Sequence, residues 1–247
     1  MRLSKAWIIA SKDLSIVRRK KSIFSTMIIF PLFVSVGLPL LIHVIAGGSA
    51  GTPDVRSGLP TVINAFAFFF LIGAATLPTT IASYTIVGEK QEQSLEPLLA
   101  TPITDREILM GKSIGALLPP LAAIWIGGVI FMGLIDAFTF GLLGYPYYPN
   151  AVMAVIMLLL VPLAAITSVE TSVLVSARVN DVRTAQQLGS LIVIPFALIY
   201  VLGEINAFPL TVPYLLVLAA IILVVDIGLF SLAVSTFRRE EILTKWK

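Results

Sequence analysis

SGLPTVINAFAFFFLIGAATLPTTIASYTIVG, residues 57–88, contains no charged side chain. It is longer than the roughly 20 residues that carry an α-helix across a bilayer. In lipid each backbone N–H and C=O must be satisfied within its own segment, so the stretch is helix rather than open strand. Working outward, the same signature recurs: 113–135, 137–169, 184–203 and 205–225 are free of charge, and 22–53 is interrupted only by His43. Of the 247 residues, 57% are hydrophobic and 13% charged, whereas soluble domains carry about 25% charged residues. The expectation is an all-α integral membrane protein of six transmembrane helices, near 23–46, 61–87, 113–137, 151–176, 187–202 and 212–236.

The basic residues give this bundle a direction. Of 17 Lys and Arg, 16 fall before span one, between spans two and three, between four and five, or after span six, and only Arg56 falls on the other side. Positive residues stay inside, which predicts cytoplasmic termini and a multi-pass protein of the plasma membrane. The same confinement argues against nucleic-acid binding, because the basic residues hug span ends and no span-free domain carries them. The chain has no cysteine, which excludes disulfides, thiolate metal sites and cysteine nucleophiles. A full-length first span behind about 20 amphipathic residues reads as retained rather than cleaved as a signal peptide.

Residues 1–22 read as an amphipathic helix lying in the cytoplasmic interface. Leu3, Trp7, Ala10, Leu14 and Val17 share one helical face. Trp7 and the cluster Arg18, Arg19, Lys20 and Lys21 suit the headgroup level and anionic lipid. At the opposite surface, the aromatic cluster at 145–149 reads as an interfacial anchor.

The polar stretch 88–112, GEKQEQSLEPLLATPITDREILMGK, reads as two helices joined by a turn. Glu89, Glu92 and Glu96 recur at helical spacing. Thr101-Pro102 ends the first helix, since proline pushes its predecessor out of the helical region. Thr104, three residues before Glu107, forms a capping box that opens the second, which leads through Leu109 and Met110 into the third span. Three basic residues stand against five acidic ones here, between basic neighbours, a balance suited to a protein partner rather than to lipid headgroups.

This run resembles the signature of the permease subunits of ATP-binding-cassette (ABC) transporters of the type-2 export class. The matches are Glu89, Glu92, Leu95, Glu96, Leu98, Leu99, Thr101, Pro102, Glu107, Gly111 and Lys112. Gln93 and Ser94 depart where the family more often has Gly-Thr. A second stretch, SARVNDVRTAQQLGSLIVIP at 176–195, is similar to the family's segment between spans four and five through Asp181, Arg183, Ala185, Gln186 and Pro195. The resemblance covers essentially the whole chain as a single transmembrane permease domain. It implies that an ABC ATP-binding subunit docks on 88–112, with Glu89, Glu92, Glu96, Leu98, Leu99, Thr101 and Pro102 as contact or coupling residues. It implies also a second permease chain, in a homodimer or heterodimer, and ATP and Mg bound by the partner subunit with no cofactor in this chain.

Gly111-Lys112-Ser113 copies the end of a phosphate-binding loop, but Arg106 stands where that motif needs its first glycine and no strand precedes it. ATP hydrolysis is therefore expected on another chain, and this one is not expected to be an enzyme. His43 is the only histidine, so neither a histidine metal site nor a Ser-His-Asp triad can be assembled. A charge at a span's centre costs about 2.5–3.5 kcal/mol, so Asp226 needs a partner, a water path or a proton. Glu170 stands nearer the cytoplasmic end, close to Thr167, Thr171 and Ser172. Glu170, Thr171 and Asp226 are the candidate pathway groups, as a cation or proton site, with buried hydrogen-bonded carboxylates as the alternative. A membrane scaffold without transport, or an ion-coupled secondary transporter using Asp226 and Glu170, would be the competing functions.

Overall fold

The computed structural model describes residues 3–48, 53–91, 103–176, 178–205 and 210–236. Among these no strand occurs. Six passages are long and apolar enough to cross a membrane: Ile23–Ile45, Ser57–Ser83, Arg106–Leu143, Ala151–Ser176, Val182–Gly203 and Val212–Ser235. In element order, α1 (Leu3–Arg19) precedes span one, which is α2 (Lys21–Leu32), a π-turn (Phe33–Gly37) and α3 (Leu38–Gly48). Span two is α4 (Pro53–Ser83), followed by a π-turn (Tyr84–Gly88) and the short α5 (Glu89–Gln91). Span three lies in α6 (Asp105–Leu143), and span four in α7 (Ala151–Val155), a π-turn (Ile156–Leu160) and α8 (Val161–Ser176). Spans five and six are α9 (Val182–Ser190) with α10 (Val193–Glu204), and α11 (Val212–Thr236).

The third span departs most from its expected limits of 113–137, and the reason is local. The capping box is formed: the Thr104 side chain accepts the Glu107 N–H at 3.4 Å, and Glu107 Oε2 accepts the Thr104 N–H at 3.1 Å. The helix it opens runs unbroken into the membrane segment. It stops only at Gly144, whose left-handed φ of 79° lets its N–H turn back to the Phe140 carbonyl at 2.8 Å.

Span two is the most enclosed passage and spans five and six the least. Phe68, Phe70, Leu71, Ala74 and Ala75 of α4 share one buried cluster with Val161, Ala164 and Ala165 of α8. The alanines let the two backbones approach closely, which is how helices gain packing where lipid removes the hydrophobic drive. Gly73 does the same for span one, since a Cβ there would lie 2.5 Å from the Phe30 ring. The π-turn within span one has a cause in its sequence. Pro31 offers no N–H, and the Ser35 hydroxyl donates to the Pro31 carbonyl at 2.6 Å inside the π-turn.

At the far end, Asp136 organises the connection from α6 to α7. Its Oδ1 accepts the N–H groups of Tyr147 at 2.8 Å and Tyr148 at 2.9 Å. The Tyr147 and Tyr148 hydroxyls donate to the Pro60 carbonyl at 3.1 Å and the Ile63 carbonyl at 3.4 Å, both on α4. Tyr145 is exposed, but Tyr147 and Tyr148 turn toward the bundle rather than forming the expected interfacial anchor. A tyrosine hydroxyl can donate to the second lone pair of a helix carbonyl, which satisfies it inside the protein while its ring stays packed.

Candidate functional site

Helix α1 crosses the beginning of α6 at two glycines. A Cβ at Gly111 would lie 2.7 Å from the Ala6 carbonyl oxygen and 2.8 Å from Ile9 Cβ, and one at Gly115 would lie 2.9 Å from Asp13 Cβ. Only a residue without a side chain admits this approach. The face that α1 buries is Ala6, Ile9, Ala10, Asp13 and Val17, while Trp7 and Ile8 are exposed. The expected apolar face put Trp7 together with Ala10 and Val17, and here it divides. A helix that meets protein on one side and an apolar medium on another carries two overlapping stripes, which a single periodicity blends.

The crossing brings charges together. Lys112, 1% exposed, donates to Glu89 Oε2 at 2.5 Å and to the Thr85 carbonyl at 2.8 Å. The other oxygen of Glu89 accepts from Lys12 Nζ at 2.9 Å. One carboxylate at the end of span two thus holds α1 through Lys12 and α6 through Lys112. Asp13, fully buried beside them, has no hydrogen-bond partner on either carboxylate oxygen among the described residues. Burial pushes its carboxyl up to about 6, with the Lys112 charge pulling it down less strongly and Glu89 adding to the rise. Breaking a buried ion pair from one side typically costs about 3–5 kcal/mol, so the Glu89–Lys112 contact strongly resists separation of the two span ends.

A second set of contacts joins the loop between spans four and five to the same place. Gln91 Nε2 donates to the Asn180 carbonyl at 3.0 Å, and Gln186 Nε2 to the Thr80 carbonyl at 3.5 Å. Asp181 caps α9, accepting from the Thr184 N–H at 2.8 Å and its hydroxyl at 3.0 Å, which holds the carboxyl below its usual range. The end of span two, from Thr80 to Gln91, and the segment from Asn180 to Gln186, distant in sequence, are neighbours at one end of the bundle.

Of the residues expected to couple to a partner, Glu89 is buried and turned inward to the two lysines. Glu92, Glu96, Leu98, Leu99, Thr101 and Pro102 lie outside the described residues. Lys12, Asp13 and Thr85 escaped the sequence reading. Asp13 could have been found, because it stands one turn from Ile9 and Val17 and so interrupts an otherwise apolar stripe.

The carboxylates inside the spans also meet. Thr167 Oγ1 donates to Asp226 Oδ1 at 2.5 Å, joining α8 to α11. Glu170 and Thr171, three and four residues on, share the face of Thr167, so all three candidate pathway residues gather at one helix contact. Asp226 and Glu170 are both buried. Asp226 Oδ2, Glu170 Oε2 and the Thr171 hydroxyl have no hydrogen-bond partner among the described residues. No group of three or more His, Cys, Asp or Glu suited to a metal ion occurs among the described residues.

The pattern that defines the ABC-2 family transporter proteins matches residues 7–207. The chain belongs to this family. Membership makes it a multi-pass membrane protein and implies a permease subunit of an ABC transporter. No curated protein matches the chain. The ABC-2 match takes in the α1–α6 crossing, the Glu89–Lys112 pair and the capped loop at Asp181, whereas Asp226 lies beyond it. In this ABC-2 protein the lysine of the Gly-Lys-Ser triplet is committed to Glu89 and Thr85; it stands inside a helix bundle and not in a phosphate-binding loop.

Proposed function

We propose that this chain is the membrane-spanning half of an ATP-driven exporter. It works with a separate ABC ATP-binding subunit, which carries ATP and Mg, and with a second permease chain in a homodimer or heterodimer. Both termini face the cytoplasm and the complex resides in the plasma membrane. The observation that carries this reading is the tie between Glu89 and Lys112, with Lys12 added from α1. Residues 92–102, which hold most of the coupling residues, are bracketed by this tie. A load applied there by an ATP-binding subunit is passed to spans two and three and to α1 together, as a rigid-body input. Glu92, Glu96, Leu98, Leu99, Thr101 and Pro102 are the contact residues in this proposal, and Glu89 transmits from behind them.

The test is a Glu96→Lys, Leu98→Ala double variant, reconstituted in proteoliposomes with its ATP-binding subunit. Binding of that subunit and ATP-dependent transport should fall about tenfold or more, the scale of losing an interface hot spot. Normal subunit binding with normal transport would sink the assignment.

A second reading is favoured by the buried pair Glu170 and Asp226 with Thr171, whose free oxygens suit a cation or a proton in the pathway. Transport into vesicles driven by an ion gradient without ATP would select it over the first.

A further inference from the structure

A groove of about 690 Å³ runs between α1, span one and α6, within the range of about 300–1,000 Å³ typical of sites for small ligands. Its walls are almost wholly apolar, with Val17, Met27, Pro31, Leu118, Ala123 and Ile126 among them. It begins beside Arg18, the one charged residue in its lining, and follows α6 from Leu118 to Ile130. At 1.5 Å per residue that is about 18 Å of helix, close to the roughly 15 Å of one leaflet's hydrocarbon. The groove opens sideways, since Phe24, Ile28, Leu32 and Ile126 on its rim are exposed.

Arg18 is exposed and makes no ion pair among the described residues. Arg19 and Lys21 are exposed next to it, and the helix turns at Lys20, whose backbone is extended. The mouth therefore carries concentrated positive charge at the end of the bundle that holds Asp105, and the interior offers one leaflet's depth of apolar wall. We propose that this groove binds an anionic phospholipid, with one acyl chain along α6 and the phosphate at Arg18. A second copy of the chain fits less well. In a two-fold contact the patch would meet itself and bring the same basic cluster against its copy.

Native mass spectrometry of the full-length protein in detergent, titrated in parallel with dioleoyl phosphatidylglycerol and dioleoyl phosphatidylcholine, tests this. Phosphatidylglycerol should be retained on each chain and phosphatidylcholine bound more weakly. Arg18→Gln, at an exposed site with no ion-pair partner among the described residues, should weaken phosphatidylglycerol about five-fold, the effect of removing one basic residue at an anionic surface. Ala123→Phe, which fills the groove, should lower retention of both lipids. Equal binding of the two lipids by the unaltered protein would overturn the proposal, and that comparison needs no variant. Phosphatidylglycerol binding unchanged in either variant would overturn it too. So would a shift in the number of chains per particle on Ala123→Phe with lipid binding unaltered, which would give the groove to a second copy.

Discussion

Asp13 is a carboxyl buried at a helix crossing, with neither oxygen hydrogen-bonded among the described residues. Its pKa rises from an ordinary 3.8 to about 6 because burial disfavours the charged form, and the charged groups that face it are Lys112, Glu89 and Lys12. Between those two values the folded protein holds a proton that the unfolded chain has released. By linkage, stability conferred at this site is therefore present at low pH and falls as pH rises from about 4 to about 6. The loss is on the order of 2–3 kcal/mol. Melting curves of the purified protein across that window should show Asp13→Asn losing this slope and gaining stability above pH 6 relative to the unaltered protein; parallel curves would contradict the account. The groups that face Asp13 mark where a sequence stops being readable. Glu89 and Lys112 were recognisable as members of a motif, but that they face each other, and not a partner or a phosphate, depends on three segments folding together.

At the scale of the element, the glycines of α6 set how near α1 can come. Gly111→Val adds a Cβ and two methyls where the Ala6 carbonyl and Ile9 already stand within 3 Å of the first added atom. Overpacking of this kind costs about 1–3 kcal/mol. Most of that should appear as opening of the crossing, because α1 meets the rest of the molecule mainly at α6. Trypsin should then cut α1 at Lys12, Arg18 and Arg19 about tenfold faster than in the unaltered protein, since cleavage follows the open population; an unchanged rate would mean that close approach does not hold the crossing. The start of α6 was legible in advance from Thr104 and Glu107, because a cap is a local device four residues long. The length of α6 was less so. That the capped helix leads into the third span was expected, but Asp136 suggested an end near 137, and nothing stops the helix before Gly144.

Across the whole molecule, the number and order of spans were legible because lipid leaves a chain few choices. The runs without charge match the observed passages, span four within its expected limits and the others with shifted ends. Which spans sit at the centre was not legible, since a bilayer masks the contrast between a helix facing lipid and one facing protein. Span two proves central because alanine and glycine alternate with phenylalanine along it. The orientation remains a matter of charge, and the absence of native cysteine makes it directly measurable. A lone cysteine at Arg56→Cys should react with an impermeant maleimide applied to intact cells, and one at Arg178→Cys only after permeabilisation. The reverse pattern would invert the molecule.

Pinning Glu89 to Lys112 also has a consequence for the chain between them. With Glu89 and Lys112 fastened to each other, much of the entropy of bringing the two ends of the intervening chain together is already spent by contacts outside it. Doubling such a loop adds only about 0.6 kcal/mol. Extra chain between the two attachment points would therefore cost little in folding, and what constrains residues 92–102 under the proposed function is the partner they meet and not the fold that carries them.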